Sequence, residues 1–131
     1  MFELFRNGVA KASQGSSITE GIGLGRATPL VETAKVDDAY LISEEEALAI
    51  IYDLVQHEGL CLGGSTGINV AGGIRLAKQL GPGKTIVTLL CDGGDRYQSK
   101  LFNPEFLRSK NLASPPWLLN GHRSGRDALL G

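Results

Sequence analysis

Leu62-Gly63-Gly64-Ser65-Thr66-Gly67-Ile68-Asn69-Val70 is the stretch whose reading decides the fold. The apolar run Leu60-Cys61-Leu62 stops at two glycines, and a helical pattern begins after Thr66. A strand, a tight turn and a helix in that order leave free N–H groups and a small hydroxyl at a strand's carboxyl end. In open α/β sheets ligands gather there. The competing reading is a glycine-rich junction that only packs, since short Gly/Ser patterns match often by chance.

Working outward, the next helix is predicted from about Gly67 to Leu80, with Val70, Ala71, Ile74 and Ala77 facing the core and Arg75, Lys78 and Gln79 facing water. Gly81-Pro82-Gly83 ends it. Lys84 to Cys91 is β-branched and apolar almost throughout, as suits a strand covered on both faces of a parallel sheet. Strand 60–62, helix 67–80 and strand 84–91 make a βαβ unit whose crossover should be right-handed. The predicted class is therefore α/β, a partial doubly wound domain.

Upstream, Ser43 with Glu46 three residues later forms a capping box, and Ala47, Ile50, Ile51, Leu54 and Val55 recur at helical spacing until Gly59. Val36–Ile42 and Ile18–Gly25 are predicted strands, and Thr28–Glu32 is predicted extended because Pro29 disfavours helix at Thr28. Gly21, Gly23 and Gly25 permit close backbone approach, to a ligand or to another segment. Met1–Ala12 reads as a short helical end. Downstream, Asp92–Asp95 is a turn, Tyr97–Phe102 gives one or two helical turns, and Asn103-Pro104 restarts a helix with Asn as cap and Pro first. Ser114–Trp117 reads as rigid and extended, and the aperiodic residues from 119 to 131 read as a mobile tail after a domain at 1–118.

The 131 residues suit one modest domain, and 42% hydrophobic with 21% charged residues is ordinary for a globular protein. A net charge of −1 gives no electrostatic case for nucleic acid or an anionic membrane, and no apolar run reaches membrane-span length or forms a secretory signal, so a cytoplasmic protein is expected. The 18 glycines are about twice the usual share of about 7%. Cys61 and Cys91 lie in or beside predicted buried strands and are expected to be reduced and packed. Neither His57 nor His122 has a partner at ligand spacing, so no metal site is expected. With few strands visible and one needing cover on both faces, the chain reads as part of a larger domain or half of an intimate dimer.

Gly15-Ser16-Ser17-Ile18-Thr19-Glu20-Gly21-Ile22-Gly23, then Glu58–Gly67, Lys84–Asp92 and Arg96–Asn103, resemble the cysteine synthase and cystathionine β-synthase family in order and interval, over about Glu3 to Leu118. That resemblance implies the fold of the type II pyridoxal-phosphate enzymes and replacement of the β-substituent of an activated serine. Sulfide or homocysteine would be the nucleophile. It implies that Ser65, in the turn with Gly63 and Gly64, hydrogen-bonds the cofactor's pyridine nitrogen. Gly21, Ile22 and Gly23 would border cofactor and substrate, and Asp92, Gly93 and Tyr97 would lie near the ring. A neutral hydroxyl stabilises a pyridinium less than an acid does, which suits elimination followed by addition better than transamination.

The turn Asp92-Gly93-Gly94-Asp95 departs slightly from the family pattern at Gly94 and Asp95. The family's Schiff-base lysine, substrate-carboxylate loop and phosphate loop precede the matched part. Lys11, Lys35, Lys78, Lys84, Lys100 and Lys110 stand in no equivalent context. The resemblance thus implies a C-terminal portion with no catalytic residue of its own, a truncated reading frame that binds pyridoxal phosphate weakly and is inactive alone. A homodimer or a complementing N-terminal half would be its partner. The alternative is a non-catalytic, self-associating or interacting remnant.

Overall fold

The structure, a computed structural model, describes residues 2–8, 18 and 28–120. Six α-helices occur among them: α1 (Phe2–Asn7), α2 (Pro29–Thr33), α3 (Glu44–Asp53), α4 (Gly64–Leu80), α5 (Pro104–Ser109) and α6 (Pro116–Asn120). A π turn, Leu54–Glu58, extends α3, and a 3₁₀ turn, Gly94–Tyr97, precedes α5. No helix of the described residues is long and apolar enough to cross a membrane.

The centre is the pair α3–α4. Ser43 caps α3 by accepting from the Glu46 N–H at 3.2 Å, and Glu44, Glu45 and Glu46 sit at the positive end of the helix dipole. The capping box is only half made, because the Glu46 carboxylate turns to the Arg75 guanidinium on α4. The α3 face buries Ala47, Leu48, Ile51 and Tyr52. Gly59, at φ 69°, closes the π turn in the left-handed region, where glycine is unstrained.

The buried positions of α4 are Gly64, Thr66, Gly67 and Ala71. Of the four core positions predicted there, only Ala71 is buried; Ile74 is 39% exposed and Ala77 is exposed. The reason is proximity. A Cβ on Gly67 would lie 2.3 Å from the Ala47 carbonyl oxygen, so the seam tolerates only small residues and the larger apolar ones fall to its flanks. α4 also starts at Gly64, which brings Ser65 and Thr66 into its first turn.

The second half wraps this pair. Asn103 Oδ1 accepts from Glu105 and Phe106 N–H at 3.0 and 3.4 Å, and Pro104 leads α5, as predicted. Ile18, Leu48, Ile51, Tyr52, Tyr97, Leu101, Leu107 and Leu112 form the core. Ile18 also donates its N–H to Glu44 at 2.8 Å. Tyr52 crosses the core to donate its hydroxyl to the Leu101 carbonyl at 2.6 Å, and it meets Phe102 and Trp117 edge-on at 6.1 and 5.9 Å.

The expected sheet is not seen. Among the described residues there is no strand, only an antiparallel bridge between Leu62 and Gly93. The expected parallel pairing of 60–62 with 84–91 is thus replaced by that single bridge. Residues 84–90 carry no regular structure, with Val87 87% and Leu89 73% exposed. A β-branched run favours an extended backbone, but a strand exists only when a neighbour takes its hydrogen bonds, and no described segment does so. For the same reason Val36–Ile42 forms no strand, and Cys61 and Cys91 are exposed free thiols instead of packed ones.

Two proline readings also shift. Pro29 does hold Thr28 extended, at φ −103° and ψ 156°, but itself begins α2. Pro116 likewise begins α6 within the stretch read as extended. The strand predicted at 18–25, apart from Ile18, the segment Gly21-Ile22-Gly23, and the tail from 121 onward lie outside the described residues.

Two stability effects follow. Gly67→Ala should force α3 and α4 apart at a cost of about 1–3 kcal/mol, read as a lowered urea midpoint. Burial pushes the Tyr52 phenol from 10.0 up to about 12. Between those pH values the unfolded chain releases this proton while the folded chain keeps it, so stability should fall as pH rises through that window. Tyr52→Phe should remove that alkaline loss and cost about 1–3 kcal/mol at neutral pH by leaving the buried Leu101 carbonyl without its donor.

Candidate functional site

Gly63, Gly64, Ser65, Asp92 and Tyr97 come together where the bridge meets the start of α4. The main chain sets the junction: Gly63 N–H donates to the Asp92 carbonyl at 2.9 Å, and Gly94 N–H to the Cys61 carbonyl at 2.9 Å. Glycine is required on both sides. A Cβ at Gly63 would stand 2.6 Å from Asp92 Oδ1 and 2.7 Å from Tyr97 Cε2, and one at Gly94 would stand 2.5 Å from Cys61 Sγ.

The first turn of α4 holds the opposing segment through adjacent hydroxyls. Ser65 Oγ donates to Asp92 Oδ1 at 3.3 Å, and Thr66 Oγ1, fully buried, accepts from Cys91 N–H at 3.0 Å. One turn on, Asn69 Nδ2 donates to the Leu89 carbonyl at 3.0 Å. Thr66 and Asn69 are the positions that sequence reasoning passed over. Their signal was their spacing: residues 66 and 69 lie on one helix face, beside the segment that needs its polar groups satisfied.

Asp92 is the hub. Tyr97 donates its phenol to Oδ2, and Arg96 Nη1 lies 3.8 Å from the same oxygen. The Tyr97 hydrogen bond holds the Asp92 carboxyl below the usual carboxylate range; desolvation opposes it, and the Asp92 backbone N–H, the Ser65 hydroxyl and the Arg96 charge support it. Ser65 is half-buried, at a helix start capped by Gly63, which offers no side chain of its own. The arrangement thus presents a half-buried neutral hydroxyl backed by a carboxylate. That suits the edge of a polar heteroaromatic ring.

Side chains of the metal-ligating types do not gather at this junction. His57 pairs with Asp53 at 2.9 Å, and among the described residues no three His, Cys, Asp or Glu side chains converge. Gly21, Ile22 and Gly23 lie outside the described residues. Of the lysines, Lys35, Lys78, Lys84 and Lys110 are exposed and Lys100 is half-buried.

Because the folded Asp92 carboxyl titrates below its unfolded value of 3.8, its contribution is present above that pH and is lost as pH falls through the folded value. Tyr97→Phe should raise the Asp92 midpoint in a carbon-13 carboxyl titration. It should also remove part of the stability advantage that wild type holds at neutral pH over acid.

A profile of the family described as "Pyridoxal-phosphate dependent enzyme" matches residues 2–92. Cysteine synthase 2 of Schizosaccharomyces pombe is 47% identical over 115 residues, covering 86% of this chain and 29% of that protein. Cysteine synthase of Dictyostelium discoideum is 43% identical over 96 residues, 73% of this chain and 25% of that protein. The O-acetylserine dependent cystathionine beta-synthase of Bacillus subtilis is 33% identical over 82 residues, 63% of this chain and 27% of that protein. This chain therefore spans under a third of the length of these relatives. The match over residues 2–92, which runs through the turn that carries Ser65, places the chain in the pyridoxal-phosphate dependent enzyme family.

Proposed function

We propose that this chain supplies the ring-nitrogen side of a pyridoxal-phosphate site in a cysteine-synthase-like enzyme that replaces the β-substituent of O-acetylserine. The observation that carries the reading is the half-buried Ser65 hydroxyl, set in the first turn of α4 and tied to Asp92. The names of the relatives at 43–47% identity support the reaction class. Pyridoxal phosphate supplies the electron sink for such a replacement when bound.

The chain's own residues bind and orient. Ser65 meets the ring nitrogen, and Gly63 keeps the turn free of a side chain that would displace Asp92 and Tyr97. Tyr97 holds the carboxylate in place. Gly21, Ile22 and Gly23 border cofactor and substrate in this reading. No lysine here has the context of a covalent anchor, so the chain binds the cofactor weakly and does not turn over without a complementing N-terminal half.

A second reading has one observation in its favour. Val87, Leu89 and Leu90 expose an apolar edge, which suits association with a second copy or with a complementing segment. A cystathionine-forming activity is the variant of the first reading suggested by the Bacillus subtilis relative.

Absorbance titration of the purified chain with pyridoxal phosphate tests the proposal. Weak saturable binding is expected, with Ser65→Ala weakening it about tenfold, the size of one hydrogen bond of about 1.4 kcal/mol. Binding indifferent to Ser65→Ala would count against the assigned role. Cysteine formed from O-acetylserine and sulfide by the chain alone would overturn the dependence on a second half.

A further inference from the structure

Between Lys84 and Leu90, the Leu89 carbonyl is the one backbone group with a hydrogen-bond partner among the described residues; it accepts from Asn69 Nδ2 at 3.0 Å. Just beyond, the Cys91 N–H donates to Thr66 Oγ1 at 3.0 Å. In an extended chain the N–H and C=O groups of 89 and 91 point to one edge, and those of 86, 88 and 90 to the other. α4 therefore holds the first edge and leaves the second open. The side chains divide as well: Ile86 is half-buried, whereas Val87 and Leu89 are 87% and 73% exposed. An open edge beside exposed apolar side chains takes up a further strand.

We propose that this edge pairs with the same edge of a second copy of the chain, antiparallel and centred on Thr88. The inference rests on the reading of the apolar edge as an association surface, and it names the partner and the register. The run is alike in chemistry from both ends. Centred on Thr88, Val87 lies opposite Leu89 of the second copy and Ile86 opposite its Leu90. Lys84 then lies opposite its Asp92, whose side chain is 30% exposed. A centre at Val87 sets Lys84 against Leu90, and one at Leu89 sets Ile86 against Asp92. Parallel stacking in register sets Lys84 on Lys84 and Asp92 on Asp92, like charge against like. In the antiparallel register, residues 86, 88 and 90 exchange the N–H and C=O groups that α4 leaves open. The contact uses the same patch on both copies and so closes at two.

Light scattering of the full chain, with Cys61→Ser and Cys91→Ser as background, tests this. A dimer at micromolar concentration is expected. Thr88→Pro removes an N–H that a single copy leaves unpaired, and it should dissociate the dimer. Lys84→Glu should weaken the dimer about tenfold, since two opposed charge pairs become like pairs. Under mild oxidation Thr88→Cys should link two copies, because directly opposite Cα atoms stand about 4.5–5.5 Å apart, within disulfide reach. Thr85→Cys should not link them. A chain that stays monomeric overturns the second copy as partner and leaves the edge to a complementing segment. A dimer untouched by both Thr88→Pro and Lys84→Glu is built elsewhere, which overturns the proposal and the reading of the edge together. Linking through Thr85→Cys as readily as through Thr88→Cys overturns the register alone.

Discussion

The approach of α4 to the Ala47 carbonyl at Gly67 is the contact on which the other described elements depend. With no side chain at 67, the two helix backbones meet closely enough that Ile51 and Thr66 are both fully buried beside the seam. That closeness fixes the rotation of α4 about its axis. Gly67 turns to α3, and Ser65, Thr66 and Asn69 turn to the segment that ends at Asp92. The polar first turn is therefore aimed by packing on the opposite side of the same helix.

That segment is held by side chains where a sheet would use its neighbours. Thr66 and Asn69 satisfy the backbone of Cys91 and Leu89, while the Leu62–Gly93 bridge closes the junction. Such a scaffold holds one end of residues 84–91 firmly and leaves Val87 and Leu89 open to solvent. Family membership implies an α/β architecture, in which such a run would be covered on both faces. The firm end is the one that carries Asp92, so the hub is set even where the sheet is not.

Several features were legible in the residues. Ser43 as a cap, Gly59 as a left-handed stop, Asn103-Pro104 as a helix start and Gly81 to Gly83 as a break each depend on local chemistry, and the structure shows each of them. The α3 face was half legible: Ala47 and Ile51 were expected, whereas Leu48 and Tyr52 enter the core because the residues from Tyr97 to Leu112 cover that flank. The core face of α4 was misread because hydrophobicity was weighed above size. At a close helix contact the smallest residues go inside. Asp92 meets Ser65 and Tyr97, 27 and 5 positions away along the chain; the resemblance implied that all three lie near one ring, but not that they bond to one another.

By itself, the sequence determined the local stops and starts and the glycine-rich turn before α4, since these are carried by residue types at short spacing, and its resemblance over most of the chain carried the family. Only the tertiary structure decided that Ser65 gives its proton to Asp92, that Tyr97 and Arg96 stand behind that carboxylate, and that residues 84–90 lie without strand partners. Hydrogen-bond direction depends on which group is brought opposite, and strand formation on whether a neighbour is present. Neither property belongs to a segment alone.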